Sequence, residues 1–151
     1  MIKVLFVCHG NICRSPMAEF IFKDFLKKRG EENEFLVLSA ATSSEELGNP
    51  VYLPARKELF KHGITCEGKY AVQLKKSDYE TYDHILCMDD WNMKNISRIL
   101  GCDGKEKVRK LLDFCGGGEV ADPWYTGNFE RTYEDLEKGI TAFYEFLKKN
   151  K

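Results

Sequence analysis

Residues 2–19 read IKVLFVCHGNICRSPMAE. The run Ile2–Val7 is almost wholly apolar and rich in β-branched residues, which suits a strand buried on both faces, as in the centre of a parallel sheet. From Ser15 the signals turn helical. Ser15 can cap, Pro16 fits a first helical position, and Met17, Phe20, Ile21 and Phe25 share one face. Lys27, Lys28 and Arg29 then precede Gly30, a charge and residue pattern that closes a helix. Between strand and helix stand Cys8, Gly10, Asn11, Cys13 and Arg14, so reactive and polar chemistry is concentrated where the chain must turn.

Outward from this step the same alternation continues. FLVLSA (35–40) reads as a second strand, and the polar loop TSSEELGNP (42–50) leads to a helix over 54–62 that stops at Gly63. Ser77 and Glu80 have capping-box spacing for a short helix. HILCM (84–88) reads as a third strand, and Met93, Ile96, Ile99 and Leu100 give the next helix its buried side. VRKLLDF (108–114) reads as a fourth strand, CGGGEVADPWYTGN (115–128) as a long loop. Tyr133, Leu136, Ile140, Phe143 and Leu147 mark a final amphipathic helix that ends in lysines. Strands and helices in this order imply an α/β fold: a doubly wound parallel sheet with helices on both faces. No repeat, low-complexity tract or linker divides residues 1–151, which are expected to form one domain.

Composition narrows the function classes. The 151 residues are 43% hydrophobic, enough for a core without staples, and the 23 basic and 24 acidic residues are interspersed with a formal net charge of -1. No basic field of the kind that binds a phosphate backbone is present, so nucleic acid is not an expected partner. No apolar run approaches the roughly 20 residues of a membrane helix. The six cysteines lack a signal-peptide context, which points to reduced thiols in a cytoplasmic protein. Cys66, Cys87, Cys102 and Cys115 form no C-x-x-C pair and have no histidine at zinc-site spacing, so neither a metal nor another cofactor is expected.

In open α/β sheets ligands bind beyond the carboxyl ends of the strands, which is where Cys8 emerges. Gly10 and Asn11 tolerate unusual backbone angles, so the loop His9–Ser15 can curl its N–H groups inward beside a helix N-terminus and form an anion cradle. In this cradle His9, Gly10, Asn11, Ile12, Cys13, Arg14 and Ser15 are the expected phosphate-binding residues. Arg14 adds a planar fork for two phosphate oxygens. The same dipoles and charge favour a thiolate on Cys8, a nucleophile facing the bound group, which Ser15 can steady by a hydrogen bond. An expelled alkoxide or phenolate still needs a proton, and Asp122 in ADPWYTG (121–127) is the candidate general acid. Trp124 and Tyr125 either wall a slot for a flat ring or pack the loop onto the body. Cys13 is near enough in sequence to Cys8 to form a protective disulfide. His9 reads as a rim residue, His62 and His84 as structural.

Taken together, C-x-x-x-x-x-R-S at Cys8, SAATS at Ser39, GNP at Gly48, HGI at His62, ILCMD at Ile85 and DPWYTG at Asp122 resemble a low-molecular-weight protein tyrosine phosphatase, in order and over nearly the whole chain. The resemblance implies a four-stranded parallel sheet, Cys8 as the nucleophile that forms a phosphocysteine, Arg14 as transition-state clamp and Asp122 as acid and then base. It also implies that Asn11, Ser39 and His62 bond together to support the loop. It makes tyrosine-phosphorylated protein the expected partner and phosphate-like anions the expected inhibitors. One position departs from the pattern: many relatives carry an aromatic second wall where this chain has Glu45, which opens the mouth and makes it more acidic. Three other functions compete. Arsenate reduction needs a further cysteine pair, and Cys87 has no partner close behind it. Protein-arginine phosphatases resemble this chain but tend to carry threonine where Ile12 stands. A non-catalytic phosphotyrosine-binding module would not need Cys8, Arg14 and Asp122 together.

Overall fold

The computed structural model describes residues 1–150. Strand β1 (Ile2–Cys8) is joined by parallel pairing to β2 (Phe35–Ala41) on one side and β3 (His84–Cys87) on the other, and β3 pairs with β4 (Val108–Lys110). The order is β2-β1-β3-β4, all parallel, as expected for a doubly wound four-stranded sheet. Chain direction across the sheet reverses between β1 and β3, so the crevice beyond their carboxyl ends is a topological switch point.

β1 is buried from Val4 to Cys8 because both its faces are covered. Val4, Phe6 and Cys8 face α1 (Arg14–Lys28) and α6 (Phe129–Lys149), where Phe22 meets Phe6, Phe35 and Phe143 edge-on. α2 (Leu53–Lys61) joins this layer through Ala55 and Leu59. Leu5 and Val7 face the opposite layer, with Ile96 and Leu100 of α4 (Asp90–Leu100) and residues around the short α3 (Asp78–Thr81). α5 (Pro123–Thr126) is a single turn inside the long loop. No helix of the described residues is long and apolar enough to cross a membrane.

Three local expectations are corrected. Ser15 does not cap α1: the helix begins at Arg14, Cys13 holds the cap position without a side-chain bond, and the Ser15 hydroxyl is taken up by Cys8 and Asn11 instead. Pro16 therefore stands third in the helix, where its missing N–H still costs no intrahelical bond. Ser77 likewise caps nothing, because its own backbone is helical and Asp78 accepts from Lys75 N to start the turn. The fourth strand stops at Lys110, and Leu111–Cys115 form a 3-10 turn. A strand would send Leu111 and Leu112 to opposite faces, whereas both are buried in the α1–α6 core.

Candidate active site

The loop between β1 and α1 is tied down from outside. The carbonyls of Cys8, His9 and Ile12 accept from the N–H groups of Thr42, Ser43 and Tyr52. In a trans peptide this points the N–H groups of Gly10 and Cys13 the opposite way, and the N–H groups of Gly10, Asn11, Ile12, Cys13 and Arg14 have no hydrogen-bonded protein acceptor among the described residues. The turn needs a left-handed residue at Asn11, whose φ is 58°.

Asn11 also organises what lies beneath. Its amide Nδ2 donates to Ser15 Oγ at 2.7 Å and to Ser39 Oγ at 3.0 Å, and its Oδ1 accepts from Val72 N at 3.1 Å. Because Ser15 Oγ already accepts from Asn11, its own hydrogen is available to Cys8 Sγ, 3.0 Å away. Ser15 N–H points at the same sulfur from 3.4 Å. Ser39 Oγ, accepting from Asn11, donates to Glu19 Oε1 at 2.6 Å. Buried Glu19 is neutralised by Lys23 at 2.5 Å and Lys69 at 3.7 Å, and Lys69 also donates to Ser39 O. Burial holds the Lys69 ammonium below its ordinary pKa although Glu19 pulls the other way. Donation in the network Glu19–Ser39–Asn11–Ser15–Cys8 thus runs outward from Asn11 in both directions, and each hydroxyl accepts once from Asn11 and has one hydrogen to give.

His62 is not part of this network. It is the C-cap of α2, where Nε2 meets Glu58 Oε2 at 3.1 Å and the ring stacks on Tyr133 at 3.6 Å. The support attributed to it comes instead from Glu19 and Lys69. Glu19 left no signal of this role, since it reaches the loop through Ser39, twenty residues away in sequence. Lys69 lies in an irregular segment and left no periodic trace.

Arg14 is 3% exposed. Its Nη1 donates to Asp89 Oδ2 at 2.6 Å and to Val120 O at 2.9 Å, and Nη2 lies 3.5 Å from Asp122 Oδ2. Burial opposes the charge, but Cys8, Asp89 and Asp122 outweigh it and hold the guanidinium pKa above its ordinary value. Asp89 is fixed in turn as the N-cap of α4, accepting from Asn92 N at 2.8 Å. Arg14 therefore bridges the loops after β1 and β3 across the switch point. Its positioning partner, Asp89, was visible in sequence only as an acid following the third strand.

Asp122 caps α5 through Trp124 N at 3.0 Å, and its other oxygen faces Arg14. It shares with Cys8 a cavity of about 140 Å³. His9, Gly10, Ile12, Cys13 and Arg14 complete the floor, and Glu45, Glu46, Trp124 and Tyr125 the mouth. Trp124 both lines the cavity and packs on Tyr52, with ring centroids 4.8 Å apart. Tyr125 is 85% exposed. His9 Nε2 contacts Glu45 Oε2 at 3.2 Å, which keeps it at the rim. All six cysteines are free, and the Cys13 thiol is pushed well above the usual range by burial and by the charges of Cys8 and Asp122. Among the described residues no group of three or more His, Cys, Asp or Glu is placed to hold a metal.

Comparison with known proteins agrees with this arrangement. Residues 3–151 match the family model described as low molecular weight phosphotyrosine protein phosphatase. The chain is 36% identical to the low molecular weight protein-tyrosine-phosphatase YfkJ of Bacillus subtilis, over 100% of this chain and 99% of that protein. It is 40% identical to the low molecular weight phosphotyrosine protein phosphatase of Gallus gallus, covering 95% and 94% of the two chains. The crystal structure of YfkJ superposes with a TM-score of 0.95 over 100% of this chain and 97% of that one. A Drosophila arginine phosphatase is 28% identical with a TM-score of 0.87, covering 97% and 98%. With the loop, the switch-point arginine and the matched length all in accord, the chain belongs to the low molecular weight phosphotyrosine protein phosphatase family.

Proposed function

We propose that this chain is a protein-tyrosine phosphatase acting through a phosphocysteine on Cys8. The observation that carries the proposal is the run of unpaired N–H groups from Gly10 to Arg14 in the loop that follows Cys8, with Cys8, Arg14 and Asp122 lining one cavity. Those donors and the Arg14 fork receive the phosphoryl oxygens and gain most as charge builds on them in the transition state. The Cys8 thiolate attacks phosphorus as the bond from phosphorus to the tyrosine oxygen breaks, and Asp122 in its acid form gives that oxygen its proton. Ser15 N–H and Oγ stabilise the sulfur whenever it carries charge. In the second half Asp122, now a carboxylate, takes a proton from water whose oxygen attacks phosphorus. The bond to sulfur breaks, inorganic phosphate leaves, and the thiolate returns.

The buried environment of Cys87, whose thiol pKa burial raises, gives no support to a relay of thiols for arsenate reduction. Ile12, 8% exposed on the cavity floor, favours a flat phenyl ester over a phosphoguanidinium. The testing experiment compares turnover of a phosphotyrosine peptide, a phosphoarginine peptide and arsenate. Phosphotyrosine is expected to dominate, and Ile12→Thr is expected to raise phosphoarginine turnover relative to it. Dominant phosphoarginine turnover in the unmodified protein would replace the proposal with its competitor. The protein acts in the cytoplasm on this reading, and free phosphate or related anions compete with substrate for the cradle.

Cys13 gives the site a redox response. Peroxide converts the Cys8 thiolate to a sulfenic acid, and the Cys13 thiol attacks that sulfur, its proton leaving with the hydroxyl group as water, to close a disulfide that thiols reopen. Mild peroxide is expected to inactivate reversibly, and Cys13→Ser to make recovery incomplete. Equal recovery of both proteins would remove Cys13 from this role.

A further inference from the structure

The mouth of the cavity is lined from two segments, Glu45–Glu46 and Trp124–Tyr125. Both carboxylates are placed by specific contacts. Glu45 meets His9, and Glu46 accepts from Asn49 Nδ2 at 2.6 Å while its stem lies against Gly10, 3.4 Å from where a Cβ would stand. Glu45 keeps 71% of its side chain in solvent. No lysine lines the cavity, and its one arginine, Arg14, is buried and engaged by Asp89 and Asp122. Tyr125 presents an 85% exposed ring with no side-chain partner among the described residues. Carboxylates and an open aromatic face are two independent chemistries with one shared preference, a cation. A phosphotyrosine dianion entering alone meets negative charge at this rim. A positive side chain beside it turns that repulsion into attraction.

We infer that the mouth selects phosphotyrosine sites with an arginine or lysine immediately next to the phosphotyrosine, with Glu45 as the main determinant. The inference rests on the phosphatase reading above and specifies its substrate class. A flanking arginine reaches Glu45 or Glu46 by hydrogen-bonded ion pairing and covers the Tyr125 ring, while the phosphotyrosine ring occupies the slot leading to Cys8.

Three phosphotyrosine peptides identical except for arginine, alanine or glutamate on both sides of the phosphotyrosine test this. kcat/KM is measured at one pH and at low and high salt, with the unmodified protein, Glu45→Gln and Glu45→Lys. Each ratio is taken within one protein, so a change in overall activity cancels. The arginine peptide is expected to exceed the alanine peptide roughly fivefold at low salt, the scale of exposed ion pairs and cation–π contacts. High salt shrinks the ratio. Glu45→Gln moves it toward one, and Glu45→Lys makes the glutamate peptide the best of the three. Equal turnover of all three peptides by the unmodified protein, or an arginine preference that survives Glu45→Lys, overturns the inference while leaving the phosphatase reading intact. No turnover of any of them overturns both.

Discussion

At the scale of single residues the network beneath the loop is ordered because each hydrogen in it is committed to one partner. Ser15 and Ser39 both accept from Asn11, which leaves their hydrogens committed to Cys8 and Glu19. Asp122 is the residue whose chemistry is most separable from its structural task. Its Oδ1 caps α5, and its Oδ2 faces Arg14. Asp122→Asn retains an acceptor for the cap and loses the transferable proton. Phosphoenzyme formation is therefore expected to slow by about 100-fold or more for leaving groups of high pKa, and far less for acidic phenols such as nitrophenol. Single-turnover rates across substituted phenyl phosphates measure the slope, and a slope unchanged by the substitution would remove Asp122 as the acid. Cys8 and Arg14 were legible as candidates because their types and their spacing around one loop suit the chemistry, whereas Asp122 was legible only in combination with them, since an Asp-Pro alone reads as a turn. Glu19, Lys69 and Asp89 were not, since a buried carboxylate beneath a loop and a carboxylate across a switch point depend on tertiary proximity. The misplacement of His62 has the same origin: neighbourhood in the fold is not carried by the residue type.

Elements were legible wherever burial imposes a period. β1 is covered on both faces and reads as a continuous apolar run, and Tyr133, Leu136, Ile140 and Phe143 recur on the buried side of α6 as their spacing requires. The fourth strand was overextended because Leu111 and Leu112 are apolar in either geometry, and only contact with α6 selects the 3-10 turn. That contact is tight at Gly139, where an added Cβ would stand 2.6 Å from Leu111 Cγ and 3.0 Å from Leu112 Cδ2. Gly139→Ala gains about 1 kcal/mol of helix propensity. It costs about 1–3 kcal/mol of overpacking against side chains that cannot retreat from the core. The net expectation is a loss of stability, read as a lower denaturant midpoint at unchanged slope. A higher midpoint would show that the two leucines relax freely and that α6 is less closely docked.

The whole molecule couples the sheet to the site through its ends. The loops after β1 and β3 meet at the switch point through Arg14 and Asp89, which ties the cradle to the carboxyl ends of both central strands. His84, at the start of β3 and edge-on to Phe143, connects the stability of the fold to pH. Burial, with Arg109 and Lys107 adding to it, lowers its pKa from 6.5 in the folded chain, against a smaller opposite pull from Asp83. The unfolded chain therefore binds the proton first as pH falls below about 6.5, and folded stability is lost from there down through the lowered folded value. Tm is expected to fall between about pH 7 and pH 5.5 and to fall less in His84→Gln, with the two proteins compared by thermal melts across that range. A Tm that declines equally in both would assign the acid sensitivity elsewhere. The central claim, that Cys8 carries the phosphoryl group between two half-reactions, is tested most directly by quenching a phosphotyrosine reaction in acid during turnover and mapping the modified peptide by mass spectrometry. The account predicts phosphate on Cys8, absent from Cys8→Ser together with turnover; phosphate on another residue, or turnover that persists in Cys8→Ser, would contradict it.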